Sequence, residues 1–131
     1  KNIKNIKFVG FKSGRELEEI IKKARFTLIP SIWYDNLPNT ALESFQYSKP
    51  VIASDIGSLP ELVEDGINGL LFEAGNVKDL VKKIILLDSD SMVKEMGKKS
   101  RKCIEEKFSP VTHYNTLIHL FEQQIKKEAG R

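Results

Sequence analysis

The sequence predicts a layered α/β fold, in which a parallel β-sheet is covered by helices on both faces. Two uninterrupted apolar runs, FTLIP (residues 26–30) and PVIAS (residues 50–54), are typical of strands buried on both sides. The segments between and after these runs repeat apolar residues at helical spacing. Buried strands that alternate with amphipathic helices favour parallel pairing. The 131 residues are enough for one such domain with a hydrophobic core.

Two further strands are predicted from shorter apolar runs. Residues 6–9 form one such run, which ends at Gly10. Residues 70–72 form the other, after a turn that contains two glycines. Together with FTLIP and PVIAS, these runs predict a sheet of four strands.

Helices are predicted wherever apolar residues recur at intervals of three and four. The first covers residues 14–24 and the second about 38–47. A third begins near Pro60, because proline suits the first turn of a helix. Three more follow, the last with an N-cap at Ser109 and a proline after it. Their apolar stripes are Val77, Leu80, Val81, Ile84 and Leu87; Met92, Met96, Ser100 and Cys103; and Tyr114, Leu117, Ile118, Phe121 and Ile125.

Composition and charge exclude several classes of protein. The net charge of +3 comes from 21 basic and 18 acidic residues spread along the chain, whereas nucleic-acid binding normally needs a concentrated basic stripe. No apolar run approaches the roughly 18 residues of a membrane span. The single cysteine, Cys103, favours a reducing compartment and hence the cytoplasm. No cluster of His, Cys and acidic residues has the spacing of metal ligands, so no metal site is predicted.

The stretch WYDNLPNTALESF (residues 33–45) carries the candidate site. It leaves the carboxyl end of a predicted strand, where ligands bind in parallel α/β sheets. A helix that begins near Pro38 would aim its free amides at a phosphate. Glu43, about a turn and a half into that helix, could accept two hydrogen bonds from a ribose diol, and Asp35 could face a sugar. These features together describe a nucleotide sugar.

A purely structural interpretation of the same residues stays open. TALE matches a capping box, in which Thr40 caps the helix and Glu43 bonds back to it. Asp35 and Asn36 would then form only a turn. Trp33 has two interpretations as well, a hydrophobic anchor and an aromatic that faces a sugar. His113 and His119 are expected to be surface residues, and Cys103 a buried, inert thiol.

Beyond this stretch, the order of motifs resembles a known family. An acid, seven residues and a glutamate are followed by the strand KPVIAS, a G-x-x-P-E loop and the turn DGINGLL. This succession resembles the nucleotide-binding C-terminal domain of retaining glycosyltransferases of family 4, which have the GT-B fold. The resemblance covers essentially the whole chain. It implies a Rossmann-like sheet followed by C-terminal helices, with residues 1–131 as part of one donor-binding domain and the N-terminal acceptor domain outside the chain.

The resemblance also implies roles for individual residues. Glu43 takes the place of the glutamate that binds the ribose, and Asp35 that of the acid beside the transferred sugar, which makes Asp35 the candidate catalytic residue. The backbone contacts to the sugar and the diphosphate fall on Asn36, Leu37, Asn39 and Thr40. Gly10 and Phe11 correspond to the region near the nucleobase, and Gly57 and Ser58 to a loop that faces the donor.

The sequence departs from the family pattern at three points. The first acid is usually glutamate and is here Asp35, which is one methylene shorter. The usual glycine-rich loop is NLP, and Pro38 has no amide to donate. The arginine and lysine that neutralise the diphosphate in the family belong to a segment upstream of Lys1. The first two departures put single contacts to the donor in question.

The main functional hypothesis is therefore an enzyme part that binds a UDP- or GDP-sugar without a cofactor or metal. The intact enzyme would transfer the sugar to a glycan or lipid-linked acceptor in the cytoplasm or at the inner face of a membrane, and the isolated fragment would be inactive. The rival hypothesis is a non-enzymatic receiver-like or nucleotide-binding module with Asp55 as its phosphorylated acid. It requires an acidic pair after the first strand, which the sequence lacks.

The last predicted helix has a longer apolar stripe than a small domain needs. In related enzymes this helix runs back across the cleft to the N-terminal domain. We therefore expect the part beyond Phe121 to be frayed, exposed or paired with a second copy of the chain, as an uncovered apolar patch favours association.

Overall fold

The computed structural model describes residues 4–34 and 36–129. Within these residues a parallel sheet contains three strands in the order β1 (Thr27–Ile29), β2 (Val51–Ser54) and β3 (Gly69–Phe72). Thr27 pairs with Val51, and Val51 pairs with Gly69, so all three strands begin at one edge and end at the other. Every residue of β2 is buried, as expected for the central strand.

Helices cover both faces of this sheet, which confirms the predicted fold class. They are α1 (Gly14–Lys23), α2 (Asn39–Gln46), α3 (Leu59–Leu62), α4 (Val77–Leu86), α5 (Asp90–Lys107) and α6 (Pro110–Ala129). One cluster of core residues joins the sheet to α2, α3 and α5 through Phe45, Leu59 and Cys103. A second cluster, which contains Ile52, Phe72 and Leu87, joins it to the end of α4 and the first half of α5.

The turn before β3 is fixed by polar contacts and by close backbone packing. Asn68 is buried, accepts a hydrogen bond from the Glu64 amide at 2.9 Å and donates one to the Leu62 carbonyl at 3.1 Å. A side chain at Gly69 would overlap the Val51 carbonyl, so only glycine allows β3 to approach β2 here. The motif DGINGLL therefore has a structural explanation of its own.

The predicted strand at residues 6–9 is wrong. These residues are exposed and pair with no strand in the part of the chain that the structure describes. An apolar run shows only that a segment suits a strand, whereas a strand also needs a neighbour for its backbone hydrogen bonds. The expectation that FTLIP is buried on both sides is also wrong, because β1 lies at the edge of the described sheet and Leu28 is exposed.

The apolar stripes of the last three helices differ in burial. In α5, Met96, Ser100 and Cys103 are buried as predicted. No residue of the α4 helix is fully buried, and Val77 and Val81 are exposed. Leu87, the last residue of this stripe, is buried directly after the helix ends. The α4 stripe is therefore wider than the area that the sheet covers.

Helix α6 begins as predicted, but its apolar stripe is exposed. The Ser109 hydroxyl accepts a hydrogen bond from the Thr112 amide at 3.1 Å, and Pro110 is the first helical residue. The stripe is exposed from its first residue, Tyr114, and not only beyond Phe121 as expected. Pairing of this stripe with a second copy stays a prediction. Among the described helices, α6 included, none has the length and hydropathy to cross a membrane.

Candidate functional site

The loops that follow β1 and β2 meet at the carboxyl edge of the sheet. The Ser58 hydroxyl, in the loop after β2, donates a hydrogen bond to the Asn36 carbonyl, in the loop after β1, at 2.8 Å. Gly57 has a φ of +62°, a left-handed conformation that favours glycine. The two loops proposed from the sequence as donor contacts are thus joined directly.

Helix α2 begins from the first of these loops without a side-chain cap. Pro38 is the N-cap residue, is buried, and accepts a hydrogen bond from the Ala41 amide at 3.0 Å through its carbonyl. Within residues 4–34 and 36–129, no side chain bonds to the first-turn amides. Thr40 lies inside the helix and is exposed, so the predicted capping box is wrong. The helix was predicted to begin near Pro38, but it begins at Asn39, and Pro38 is the N-cap residue.

Glu43 is a half-buried acid in the middle of α2. Its carboxylate makes no hydrogen bond or ion pair with any residue that the structure describes. The neighbouring helical positions are engaged: Phe45 is buried in the core, and the Ser44 hydroxyl donates to the Thr40 carbonyl at 2.7 Å. Glu43 therefore keeps hydrogen-bonding capacity that no described residue uses.

Two cavities border Glu43, one on each side of α2. The larger, about 500 Å³, lies between α2, the second half of α5 and the start of α6. Asn39, Glu43 and Arg101 line it, together with the aromatic ring of Phe108. The smaller, about 180 Å³, lies between α1 and α2 and is lined by Gly14 and Tyr47 besides Glu43. Both are open enough to admit part of a small ligand.

Several residues of the larger cavity were not predicted from the sequence. The Arg101 guanidinium donates to the Gln46 carbonyl at 2.6 Å and to the Glu105 carboxylate at 2.7 Å. This places a cation at the carboxyl end of α2, whose last turn has no basic residue of its own. The sequence offers no signal for this contact, because 55 positions separate Arg101 from Gln46.

The other predicted donor contacts are only partly brought together. Asn39 shares the larger cavity with Glu43. Gly10 and Phe11 are exposed and line neither cavity beside Glu43. The remaining predicted positions at this edge, which are Asn36, Leu37, Thr40 and Gly57, are exposed. Asp35, the candidate catalytic acid, lies outside the described residues.

Titratable groups near the site show modest perturbation. Burial raises the pKa of the Tyr47 hydroxyl, and the nearby Glu18 and Glu43 carboxylates act in the same direction. Burial also raises the pKa of the Cys103 thiol, so this cysteine is protonated at neutral pH, which agrees with an inert core thiol. Over residues 4–34 and 36–129, no three potential metal ligands come together.

The histidine and aromatic side chains considered as possible site residues lie at the surface. His113 and His119 are exposed on α6, as expected, and His119 shares a hydrogen bond with Gln123 at 2.8 Å. Trp33 is exposed, so its interpretation as a hydrophobic anchor is wrong for this structure. Tyr34 is exposed beside it. These two aromatic rings therefore remain free to contact a ligand or another segment.

Comparison with protein families decides between the hypotheses. Residues 1–107 match the family model described as glycosyl transferases group 1. The chain belongs to this family.

An uncharacterized glycosyltransferase of Methanocaldococcus jannaschii is 37% identical over 109 residues, which cover 82% of the chain and 30% of that relative. The amylovoran biosynthesis glycosyltransferase AmsK of Erwinia amylovora is 25% identical, over 90% of the chain and 30% of the relative. The chain thus spans about a third of the length of these relatives.

Solved structures show the same fold. Sucrose-phosphate synthase from Thermosynechococcus elongatus superposes with a TM-score of 0.82 at 24% identity, over 95% of this chain and 31% of that one. HepE of Anabaena, in complex with UDP, gives 0.83 at 21% identity, over 92% and 33% of the two chains. The C-terminal domain of a group 1 glycosyl transferase from Francisella tularensis gives 0.69 at 21% identity, over 79% and 53%. The fold is that of a GT-B C-terminal domain, and family membership favours the glycosyltransferase hypothesis over the receiver.

Proposed function

We propose that the chain is the donor-binding part of a retaining glycosyltransferase, which transfers a sugar from a nucleoside diphosphate sugar to a glycan or lipid-linked acceptor. The observation that carries the proposal is the unpartnered carboxylate of Glu43. Glu43 is a half-buried residue whose carboxylate has no hydrogen-bonding partner among the described residues, so its acceptor capacity is available to a ligand. A ribose diol would supply two hydroxyl donors to this carboxylate.

The start of α2 would bind the diphosphate. Its first-turn amides receive no cap from a described side chain, and the helix dipole concentrates partial positive charge at this end. The loop before the helix is held by the bond between Ser58 and Asn36, so the amides are positioned before the ligand arrives. The diphosphate and the ribose are then adjacent along one helix, in the order in which a nucleotide presents them.

The chemistry asked of these residues is positioning and charge stabilisation. In this proposal Asp35 lies beside the transferred sugar, and the α2 amides stabilise the charge that develops on the leaving diphosphate. The acceptor would be held by an N-terminal domain, and the leaving phosphate would help to deprotonate the acceptor hydroxyl. We expect the enzyme to act in the cytoplasm, at or near a membrane surface, and the 131 residues alone to be inactive.

The test is a transfer assay with the full-length protein. UDP is the first nucleotide to try, because HepE structures hold UDP and UDP-glucose. Release of the nucleoside diphosphate is measured over a panel of UDP-, GDP- and ADP-sugars, and NMR then determines the anomeric configuration of the product. Retention is expected. An inverted product would overturn the retaining mechanism, and failure to bind any nucleotide would overturn the donor-site assignment.

A further inference from the structure

A basic cleft lies at the edge of the sheet opposite the donor loops. Its volume is about 700 Å³, and it is formed where α1 ends, where α2 connects to β2, and along the first half of α5. The segments from α1 and α2 lead directly into the amino ends of β1 and β2. The cleft therefore does not overlap the proposed donor site. Four cations and one acid line it: Arg25, Lys49, Lys94, Lys98 and Asp90.

The charge in this cleft is unbalanced. Asp90 is already paired, because its carboxylate accepts from the Arg25 guanidinium at 2.7 Å. Lys49, Lys94 and Lys98 have no ion pair with any residue that the structure describes. The net charge of the cleft is +3, which equals the net charge of the whole chain. A recess lined by one sign of charge attracts and concentrates ions of the other sign.

The backbone fixes the three lysines relative to one another. A side chain at Gly97 would overlap the Ser48 carbonyl, so α5 is packed as closely as glycine permits against the connection that carries Lys49. Lys94 and Lys98 flank Gly97 on that helix. The connection is itself well bonded, because the Ser48 amide donates to the Phe45 carbonyl at 3.0 Å and the Lys49 amide to the Ser44 carbonyl at 2.9 Å. The basic cleft is thus a formed feature of the backbone.

Charge and volume together define the ligand. Three free ammonium groups match an anion of about three negative charges, and lysine ammonium groups are common phosphate contacts. A volume of about 700 Å³ exceeds the space that one phosphate needs and suits a small multiply charged molecule. We propose that the basic cleft is a second anion site, distinct from the donor site, for a small molecule that carries at least two phosphate groups.

The test is a calorimetric titration of the full-length protein with inorganic pyrophosphate at low salt. The cleft variant is Lys94→Gln with Lys98→Gln, and the matched control is Lys126→Gln with Lys127→Gln, which removes the same charge from exposed positions on α6. The rescue variant is Lys94→Arg with Lys98→Arg. Pyrophosphate that binds at the start of α2 forms the same second site in all these proteins. Each titration is therefore fitted with two independent sites, and the Kd of the cleft is compared.

We expect the Kd for pyrophosphate to rise about tenfold in the cleft variant, to stay within about threefold of wild type in the Arg variant, and to be unchanged in the control. Equal affinity in the cleft variant and the control would overturn the proposal. A second arm measures binding to vesicles with and without anionic lipid. If the cleft variant loses vesicle binding and keeps pyrophosphate binding, the surface serves a membrane and the proposal is equally wrong.

Discussion

Helices α2 and α4 both follow the carboxyl end of a strand, but their first turns are completed in different ways. At α4 the Asn76 side chain accepts from the Asp79 amide at 3.1 Å, and the Asp79 carboxylate accepts from the Glu73 amide at 3.0 Å. The Asn76 side chain also donates to Glu73 at 2.6 Å. At α2 the N-cap is Pro38, no side chain in the described part of the chain caps the first turn, and Glu43 lacks a described partner.

We interpret the difference as one between a structural helix start, at α4, and the proposed ligand-binding start, at α2. At the start of α4 the Asp79 amide receives its acceptor from the protein itself. At the start of α2 no described side chain occupies the first-turn amides, and the acid beside it has hydrogen-bonding capacity that the described fold does not use. Changes at α4 should therefore alter stability, and changes at α2 should alter donor binding.

The largest effect is expected for Glu43→Gln. The change removes a charged acceptor and keeps the shape, so the Kd for the nucleotide sugar should rise about 10- to 150-fold, which corresponds to about 1.5–3 kcal/mol. The Tm should change little. The control is Glu95→Gln, at an exposed position on α5. Calorimetric titration of both variants measures the effect, and an unchanged Kd in Glu43→Gln would mean that Glu43 does not hold the ribose.

Asn76→Ala should have the opposite signature. Loss of the cap should lower the free energy of unfolding by about 1 kcal/mol, because an amide at the start of α4 loses its acceptor. Chemical denaturation measures this loss, and the donor Kd serves as the control. A weaker donor affinity with unchanged stability would place the ligand at α4 and contradict the comparison.

Pro38→Ser should convert the start of α2 toward that of α4. A serine hydroxyl at the N-cap would accept from a first-turn amide and compete with the diphosphate, so we expect donor affinity to fall about threefold. The gain from the cap is offset by the loss of proline rigidity, so the stability change should be small. Pro60→Ser in the first turn of α3 is the matched control. An increase in donor affinity would show that the first turn does not bind the ligand.

The smallest effect is expected for Thr40→Ala. Because Thr40 is exposed inside the helix and caps nothing, its loss should change the free energy of unfolding by less than about 0.5 kcal/mol. A capping residue would cost about 1 kcal/mol, as predicted for Asn76. Parallel denaturation of the two alanine variants distinguishes these values, and equal losses would restore the capping box.

The elements predicted correctly are those set by local sequence patterns. The apolar runs around Ile29, Ile52 and Leu70 were predicted as strands and are confirmed, and continuous burial explains the run of the central strand β2. The run at residues 6–9 has the same pattern but forms no strand, since pairing depends on a neighbour that the run does not reveal. The predicted capping box is wrong because the helix begins at Asn39, ahead of the TALE motif, and Thr40 therefore lies inside the helix.

The candidate site was predictable only along one segment of chain. Glu43 and the start of α2 follow from the order of strand, loop and helix. Arg101 and Phe108, which line the larger cavity with Glu43, lie in α5 and directly after it. These positions are distant in sequence, so no local sequence pattern predicts the contact. The roles of Asn36, Leu37 and Gly57 in donor binding remain predictions, because exposure at the carboxyl edge permits these contacts without demonstrating them.

Hydrogen exchange of the full-length protein, with and without a nucleoside diphosphate, tests the central claim most directly. The account predicts added protection over residues 36–46, where the amides at the start of α2 would bind the diphosphate and Glu43 the ribose. Residues 73–80, at the start of α4, should exchange at the same rate in both states. Protection centred on residues 73–80, with no change over 36–46, would contradict the account.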